Sequence, residues 1–451
     1  MNETAVGIAD LGPLNRAREQ KAWYWYDWAN SAFATTVAGV LFGPYIKAIA
    51  EEAAVDGRIS VIGISITPGA LPPLIVTFST IISAVFLPLL GAVADRTARK
   101  KDLLAGFAWA GAAAASLLFF VTGDNWQLGA VAFVVANLCF GASAVFNDAI
   151  LPLISDENER DRVSSRGWAM GYAGGGLLLA LNFVLVTFHE TFGVTEGMAA
   201  RISMLSAALW WAAFTFIPFR GLKNHPPRDV ERVEGGVFTR SFGQLWATLK
   251  DLRNYPMALT FLVAYLFFND GIQTVISQAS LYGTDELGFE LGTVLATYLL
   301  VQFVAVGGAI LFGRAAAKRG AKQVILVGLG IWMLIVTAAL FLPEGQLVPF
   351  LLLGVAIGIV LGGTQALSRS YFSRLIPAGK EAEYFGLYHA MDRGTSWFGT
   401  LVFALVYLAT DSYRPAIFAL IIFFVIGGAL LMRVDTERGI REAGNAAPKV
   451  G

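Results

Sequence analysis

Five ionisable side chains stand inside long apolar stretches of this 451-residue chain: Asp27, Asp148, Asp270, Asp392 and Arg393. A charge at the centre of a membrane helix costs about 2.5–3.5 kcal/mol on insertion scales, so each needs a partner or a watered path. Asp270 is the sharpest case. It lies about 20 Å along a helix axis from Met257, at 1.5 Å per residue, with Asn269, Gln273, Thr274 and Ser277 around it. Asp270, Gln273 and Ser277 recur at i, i+3 and i+7 and share one face. Such a stripe suits a cavity wall on which Asp270 binds a proton or an ammonium group. The plainer alternative is a polar contact between helices.

Asp392 and Arg393 are neighbours that point about 100° apart on a helix and so pair poorly with each other. Arg393 needs an acid from another helix, with Asp270 a candidate, or else a substrate anion. A buried structural ion pair is the competing reading. Tyr388, His389 and Ser396 lie within a turn of this pair. His389 alone is more simply a satisfied helix residue than a proton relay. Asp27, Asn30, Ser31 and Thr35 form a further polar face at i, i+3, i+4 and i+8. Asp27 belongs to a cavity or gate, or it caps a helix start, where negative charge is favoured. Asn147 and Asp148 close another apolar stretch. Asp148 is a gate acid or the partner of a loop arginine such as Arg166.

The elements that must hold these groups follow from composition. Hydrophobic residues make up 56% of the chain and charged residues 15%, and mean hydropathy is +0.61. A soluble protein carries about 25% charge, and one this apolar would expose large greasy patches. Lysines and arginines number 33 and so do the acids, so no basic surface for nucleic acid is implied. The single cysteine, Cys139, and three histidines offer no disulfide and little for a metal. No phosphate loop, nucleophile elbow or zinc-protease motif is present, so neither an enzyme nor an ATP-driven pump is supported, and no cofactor or metal site is expected. A bilayer core about 30 Å thick needs roughly 20 apolar residues per helix. Twelve such runs are expected, at 23–49, 72–94, 102–122, 127–151, 163–188, 200–219, 257–282, 291–313, 322–342, 347–371, 383–409 and 413–432. They lack the alternation of an outer-membrane barrel. No removable signal peptide opens the chain. With both termini placed in the cytoplasm, 28 lysines and arginines fall on that side against 4 on the other, which sets the orientation. Trp23, Trp25 and Trp28 suit an interfacial aromatic belt.

The expected organisation is a cytoplasmic tail over 1–22, a six-helix bundle over 23–219, a cytoplasmic linker over 220–256, a second bundle over 257–433 and a tail over 434–451. In the linker, Phe238, Phe242, Leu245, Trp246, Leu249 and Leu252 recur at helical spacing, as in an amphipathic helix on the membrane surface. The halves repeat. Gly91–Lys101 aligns with Gly313–Arg319 at an offset of 218, with Gly313 in the place of Asp95. The stretches from Gly141 and Gly363 align at an offset of 222, through Leu153-Ile154 and Leu375-Ile376. Duplication of this kind is typical of secondary transporters. Small-residue motifs at Gly39/Gly43, Gly171/Gly175 and Gly354/Gly358/Gly362 allow close helix packing.

The loop Gly91-x-x-x-Asp95-Arg96-x-x-Arg99-Lys100, between the second and third runs, resembles the signature of the major facilitator superfamily. Trp25-Tyr26-Asp27-Trp28-Ala29-Asn30-Ser31-Ala32-Phe33 and Glu383-Tyr384-Phe385-Gly386-Leu387-Tyr388 resemble, more narrowly, its vacuole-effluxer-like, autophagy-related family. The resemblance implies an all-α fold of twelve transmembrane helices in two pseudo-symmetric six-helix bundles that rock about a central substrate site. It also implies that the 91–101 loop latches the cytoplasmic gate, with Asp95 facing the start of span eleven near Glu381–Tyr384. Fungal members are implicated in releasing amino acids from the vacuole.

The expected function is secondary transport of a small polar solute, an amino acid or similar zwitterion, possibly outward. Protons are the expected coupling ion, carried by Asp270 or Asp392. An uncoupled facilitator, a drug or organic-ion exporter, and a lipid scramblase or membrane receptor stay open as alternatives. The expected partners are the solute, the proton and the lipid bilayer. The expected state is a monomer, in a bacterial inner membrane.

Overall fold

The computed structural model describes residues 13–61, 63–97, 99–225, 250–394 and 396–445, apart from the side chains of a few of them, including 393–397. Among these, eleven helical stretches are long and apolar enough to cross a membrane. The first six are Leu14–Glu52, Pro68–Asp95, Lys100–Phe120, Trp126–Ile154, Arg160–Thr187 and Glu196–Gly221. Pro256–Glu286, Gly292–Arg319, Ala321–Ala339 and Leu347–Leu375 are the seventh to tenth spans, and Tyr413–Arg433 is the twelfth. The eleventh span consists of two helices, Glu381–Gly394 and Ser396–Thr410. The expected twelve-span, all-α architecture is therefore present.

Spans one to six form one lobe and spans seven to twelve the other. Within the lobes, the first span packs on the fifth and sixth, and the eighth packs on the tenth. Small residues permit this closeness. A Cβ on Gly175 would lie 3.1 Å from the Ser31 carbonyl oxygen, and one on Gly362 would lie 2.3 Å from that of Ala305. Gly43 has no neighbour within 4 Å, so the Gly39/Gly43 motif is only half used. Two seams join the lobes: the second span lies against the helix Glu381–Gly394, and the fifth against the eighth.

Both described ends reach the same face, called here the terminal face. Arg16 near the start bonds Glu159 in the loop between spans four and five (3.1 Å). Asn445 near the end donates to the carbonyl oxygen of Arg374 (2.9 Å). The far face carries a short antiparallel hairpin, Ile59–Val61 against Ile64–Ile66.

Three expectations change. The first helix starts at Pro13, so residues 13–22 are helical rather than tail, and Glu19 within them is buried. Asp27 is consequently mid-helix and caps nothing. Trp23 is fully buried and donates from its indole to the Asn147 carbonyl oxygen (2.8 Å), so it is no interfacial belt residue. The amphipathic linker helix lies outside the described residues, apart from buried Leu252. The first span also holds a π-helical stretch, Phe33–Leu41, of a kind that often marks functional sites.

Candidate functional site

The seams are polar where they approach the terminal face. At their centre is Arg369, two turns from the end of the tenth span and 3% exposed. A guanidinium has five N–H donors in a rigid fork and no way to shed its charge. Here its fork is filled from the opposite lobe. Nη2 donates to Asp27 Oδ2 (3.1 Å) and to the Ser164 carbonyl oxygen (2.9 Å). Nη1 donates to Asp148 Oδ1 (3.1 Å) and to Asp27 Oδ1 (3.4 Å), and Nε to Ser164 Oγ (2.9 Å). The guanidinium lies 4.6 Å from the Trp23 ring centroid, a cation–π geometry. Gly167 leaves the room, since a Cβ there would fall 2.3 Å from Asp27 Oδ2.

Sequence reasoning counts Arg369 among the loop cations and misses this role. A signal exists: the 222-residue offset sets Arg369 opposite Asn147. Both repeat-related side chains converge on Asp27, because Asn147 Nδ2 donates to Asp27 Oδ1 (3.1 Å). Asp148 meets Arg369 and His389 Nε2 (2.9 Å), rather than Arg166. His389, expected to be a simple helix residue, is thus an inter-lobe partner.

One turn beyond His389, Asp392 Oδ1 accepts from Tyr265 (3.4 Å) and from the Asn269 amide. Asn269 in turn accepts from Gln365 (2.7 Å). Tyr388 is buried and stacks on Tyr265 with centroids 4.1 Å apart. Asp392, Asn269 and Gln365 therefore form one polar cluster within the second lobe, and His389, one turn away on the same helix, reaches Asp148 in the first.

Asp270 is placed elsewhere. It is 1% exposed, and its Oδ2 accepts from the Gly399 N–H (2.7 Å) in the first turn of Ser396–Thr410, where backbone donors lack intrahelical partners. Its Oδ1 has no hydrogen-bond partner among the described residues. Gln273 is half-buried, and exposed Ser277 donates to the Thr274 carbonyl oxygen (3.1 Å). The expected stripe of Asp270, Gln273 and Ser277 thus splits: Asp270 holds the eleventh span within its own lobe. The Arg393 side chain lies outside the description. Asn30 is buried beside Ser31, whose hydroxyl is 3.5 Å from its Oδ1.

At the rim of the first seam, Asp95 lies against the helix start at Glu381. Its Oδ1 accepts from the Ala382 N–H (3.0 Å) and its Oδ2 from the Glu383 N–H (2.8 Å). Glu381 does not repel it, because buried Lys100 bridges Asp95 (2.7 Å) and Glu381 (3.2 Å). The backbones nearly touch. A Cβ on Gly91 would lie 2.1 Å from the Ala382 carbonyl oxygen, and one on Gly386 2.7 Å from that of Leu87. Arg96 and Arg99 are exposed, and Arg99 pairs with Asp102 (2.9 Å). Beside the second seam, between the fifth and tenth spans, Asp161 accepts from Ser370 (2.7 Å) and pairs with Arg374 (2.9 Å), while Ser164 Oγ donates to the Ala366 carbonyl oxygen (2.7 Å).

Residues 15–444 match the family model described as "Vacuole effluxer Atg22 like". The chain belongs to that family. A Bacillus subtilis protein named an uncharacterized MFS-type transporter, YxiO, is 32% identical over 93% of this chain and 95% of its own length. Autophagy-related protein 22-1 of Neosartorya fischeri is 26% identical over 85% of this chain and 77% of its own. The proton:xylose symporter XylE shares the fold, with a TM-score of 0.68 at 10% identity, covering 94% of this chain and 96% of that one. This Atg22-like chain is a multi-pass membrane transporter of the major facilitator superfamily, not an enzyme.

Proposed function

We propose that this chain is a proton-coupled secondary transporter of a small polar solute, working by alternating access. The seams described above then hold one gate closed, and the terminal face is the cytoplasmic one. The observation that carries the coupling is the charge balance at Arg369. One guanidinium meets two buried carboxylates, Asp27 and Asp148, from the other lobe. A surplus negative charge in a dry interior is costly unless neutralised. His389, 2.9 Å from Asp148, supplies the neutralising proton when protonated. Separating the lobes admits water, removes the reason to hold that proton and releases it. Asp392, three residues along the same helix, is the next acceptor. This reading shifts the carrier from Asp270, which holds a helix start, toward His389, Asp148 and Asp392.

A zwitterion such as an amino acid suits a path that presents both carboxylates and a guanidinium, and the family's effluxer description supports outward movement. The bacterial relative supports a cell-membrane setting. A thermal-shift screen of the purified protein against a metabolite library identifies the solute, because a ligand stabilises the state it fits. Proteoliposomes with and without an imposed pH gradient then test the coupling. His389→Gln and Asp392→Asn are expected to lose gradient-driven accumulation while retaining downhill exchange. Gradient-driven transport at the wild-type level in both variants, with loss in Asp270→Asn, returns the carrier role to Asp270. Wild-type transport that ignores the gradient favours an uncoupled facilitator, and movement of labelled lipid favours a scramblase.

A further inference from the structure

Away from the seams, a cavity of about 410 Å³ opens between the start of the first span and the end of the sixth. Arg18, Lys21 and Arg220 line it, together with Ala22, Trp25, Phe216, Ile217 and Gly221. No acid is among these residues. Elsewhere on the terminal face many cations are neutralised: Arg16 by Asp156 and Glu159, Arg162 by Glu159, Arg374 by Asp161. Arg18, Lys21 and Arg220 have no ion pair among the described residues, and all three side chains are exposed. The cavity is held by close packing, because a Cβ on Gly221 would lie 2.4 Å from that of Ala22. Trp25 stacks on Phe214 with rings 4° from parallel.

The order of chemistry along the sixth span is informative. Phe216 is 49% exposed and Ile217 37% exposed. They lie one turn before Arg220, about 4.5–6 Å deeper in the membrane at 1.5 Å per residue. Cations at the end of a span above exposed apolar side chains match an amphiphile with an anionic head and acyl chains. Basic pockets between spans bind lipid head groups for this reason.

We propose that this cavity is a binding site for an anionic phospholipid, with the phosphate among Arg18, Lys21 and Arg220 and the acyl chains along Phe216 and Ile217. The test uses the full-length protein in detergent, titrated with phosphatidylglycerol and read by native mass spectrometry. Wild type is expected to retain phosphatidylglycerol at least fivefold better than phosphatidylcholine. Arg18→Gln/Lys21→Gln/Arg220→Gln is expected to lose that preference. A control removing the same charge, Arg314→Gln/Lys318→Gln/Arg319→Gln, is expected to keep it, since those exposed residues lie on the other lobe. Melting curves of both variants establish that they fold, and single substitutions replace the triple if it does not.

Equal loss in the control, or undiminished preference in the cavity variant, overturns the proposal. So does displacement of the lipid by millimolar inorganic phosphate, which would mark a free-anion site.

Discussion

The two seams between the lobes are counterparts under the internal repeat, yet they are closed by different means. Where the second span meets the eleventh, Asp95 reaches across to two backbone N–H groups, and Lys100 ties it to Glu381. Where the eighth meets the fifth, Gly313 occupies the equivalent place, and Ser165 fills the space its side chain would need, with Oγ 2.5 Å from a Cβ there. The fifth span's own acid turns to the tenth span instead: Asp161, in its first turn, takes Ser370 and Arg374. Duplication has kept the helix pairings and redistributed the charge. The first seam depends on one carboxylate from the loop signature, whereas the fifth span spreads its inter-lobe hydrogen bonds over several residues of the tenth. Arg369, on the second lobe, takes its partners from the first.

The largest effect is expected at that shared centre. Arg369→Met leaves Asp27 and Asp148 buried without their cation, a loss of about 3–5 kcal/mol. Thermal melting of the purified protein should drop and transport should vanish. Adding Asp27→Asn and Asp148→Asn should recover the melting temperature but not transport. A wild-type melting curve for Arg369→Met alone would remove the network from the fold's stability.

Next comes the first seam. Asp95→Asn loses a charged acceptor and its lysine, about 1.5–3 kcal/mol from the closed state. Cysteines placed on the terminal face should then react faster with a soluble maleimide. Unchanged rates would deny Asp95 a gate role.

The glycines sharpen the contrast. Gly91→Ala drives a methyl into the Ala382 carbonyl oxygen, which cannot move without the helix, at about 1–3 kcal/mol. Gly313→Ala meets only a side chain, Ser165, with Oγ at 2.5 Å and Cβ at 2.6 Å; the hydroxyl can rotate but the Cβ must move with its helix, so the cost should be smaller than at Gly91, about 1 kcal/mol. Equal losses in melting temperature would mean that the seams are closed alike.

The smallest effect is at the rim. Asp251, outside the spans, pairs with Lys380. Burial pushes its carboxyl up, but hydrogen bonds from Lys380 and Asn254 outweigh this and hold it below the ordinary carboxylate range. A depressed folded value stabilises at pH above the unfolded value, about 3.9, and the benefit fades as pH falls through the folded one. Lys380→Ala should therefore lower stability at pH 7 by no more than about 1 kcal/mol, given its exposure. The difference from wild type should shrink as pH falls below the ordinary carboxylate range.

The spans were legible because the bilayer demands runs of a certain length, and apolar composition reveals them directly. The docking place of Asp95 was legible through the family's loop motif. Arg369 was hidden by its surroundings: it stands near the end of a span beside Arg374 and Lys380, where cations ordinarily mark a loop. Only contact with the other lobe distinguishes a buried guanidinium from a solvated one, and a linear pattern does not display that contact. Asp270 misled for the converse reason. Helical spacing shows which side chains share a face, but not that the facing neighbour is Gly399. Trp23 likewise looked interfacial because the helix was expected to start ten residues too late.

The tight backbone approach at Gly91 and Gly386 leaves no room there for side chains, so beside it the lobes are tied by the charged trio of Asp95, Lys100 and Glu381. Such forces owe their strength to a low local permittivity. The first water molecules to enter raise that permittivity and weaken every pair not yet broken. On the gating proposed above, wetting is therefore expected to undo the trio together, as a switch does, rather than by degrees.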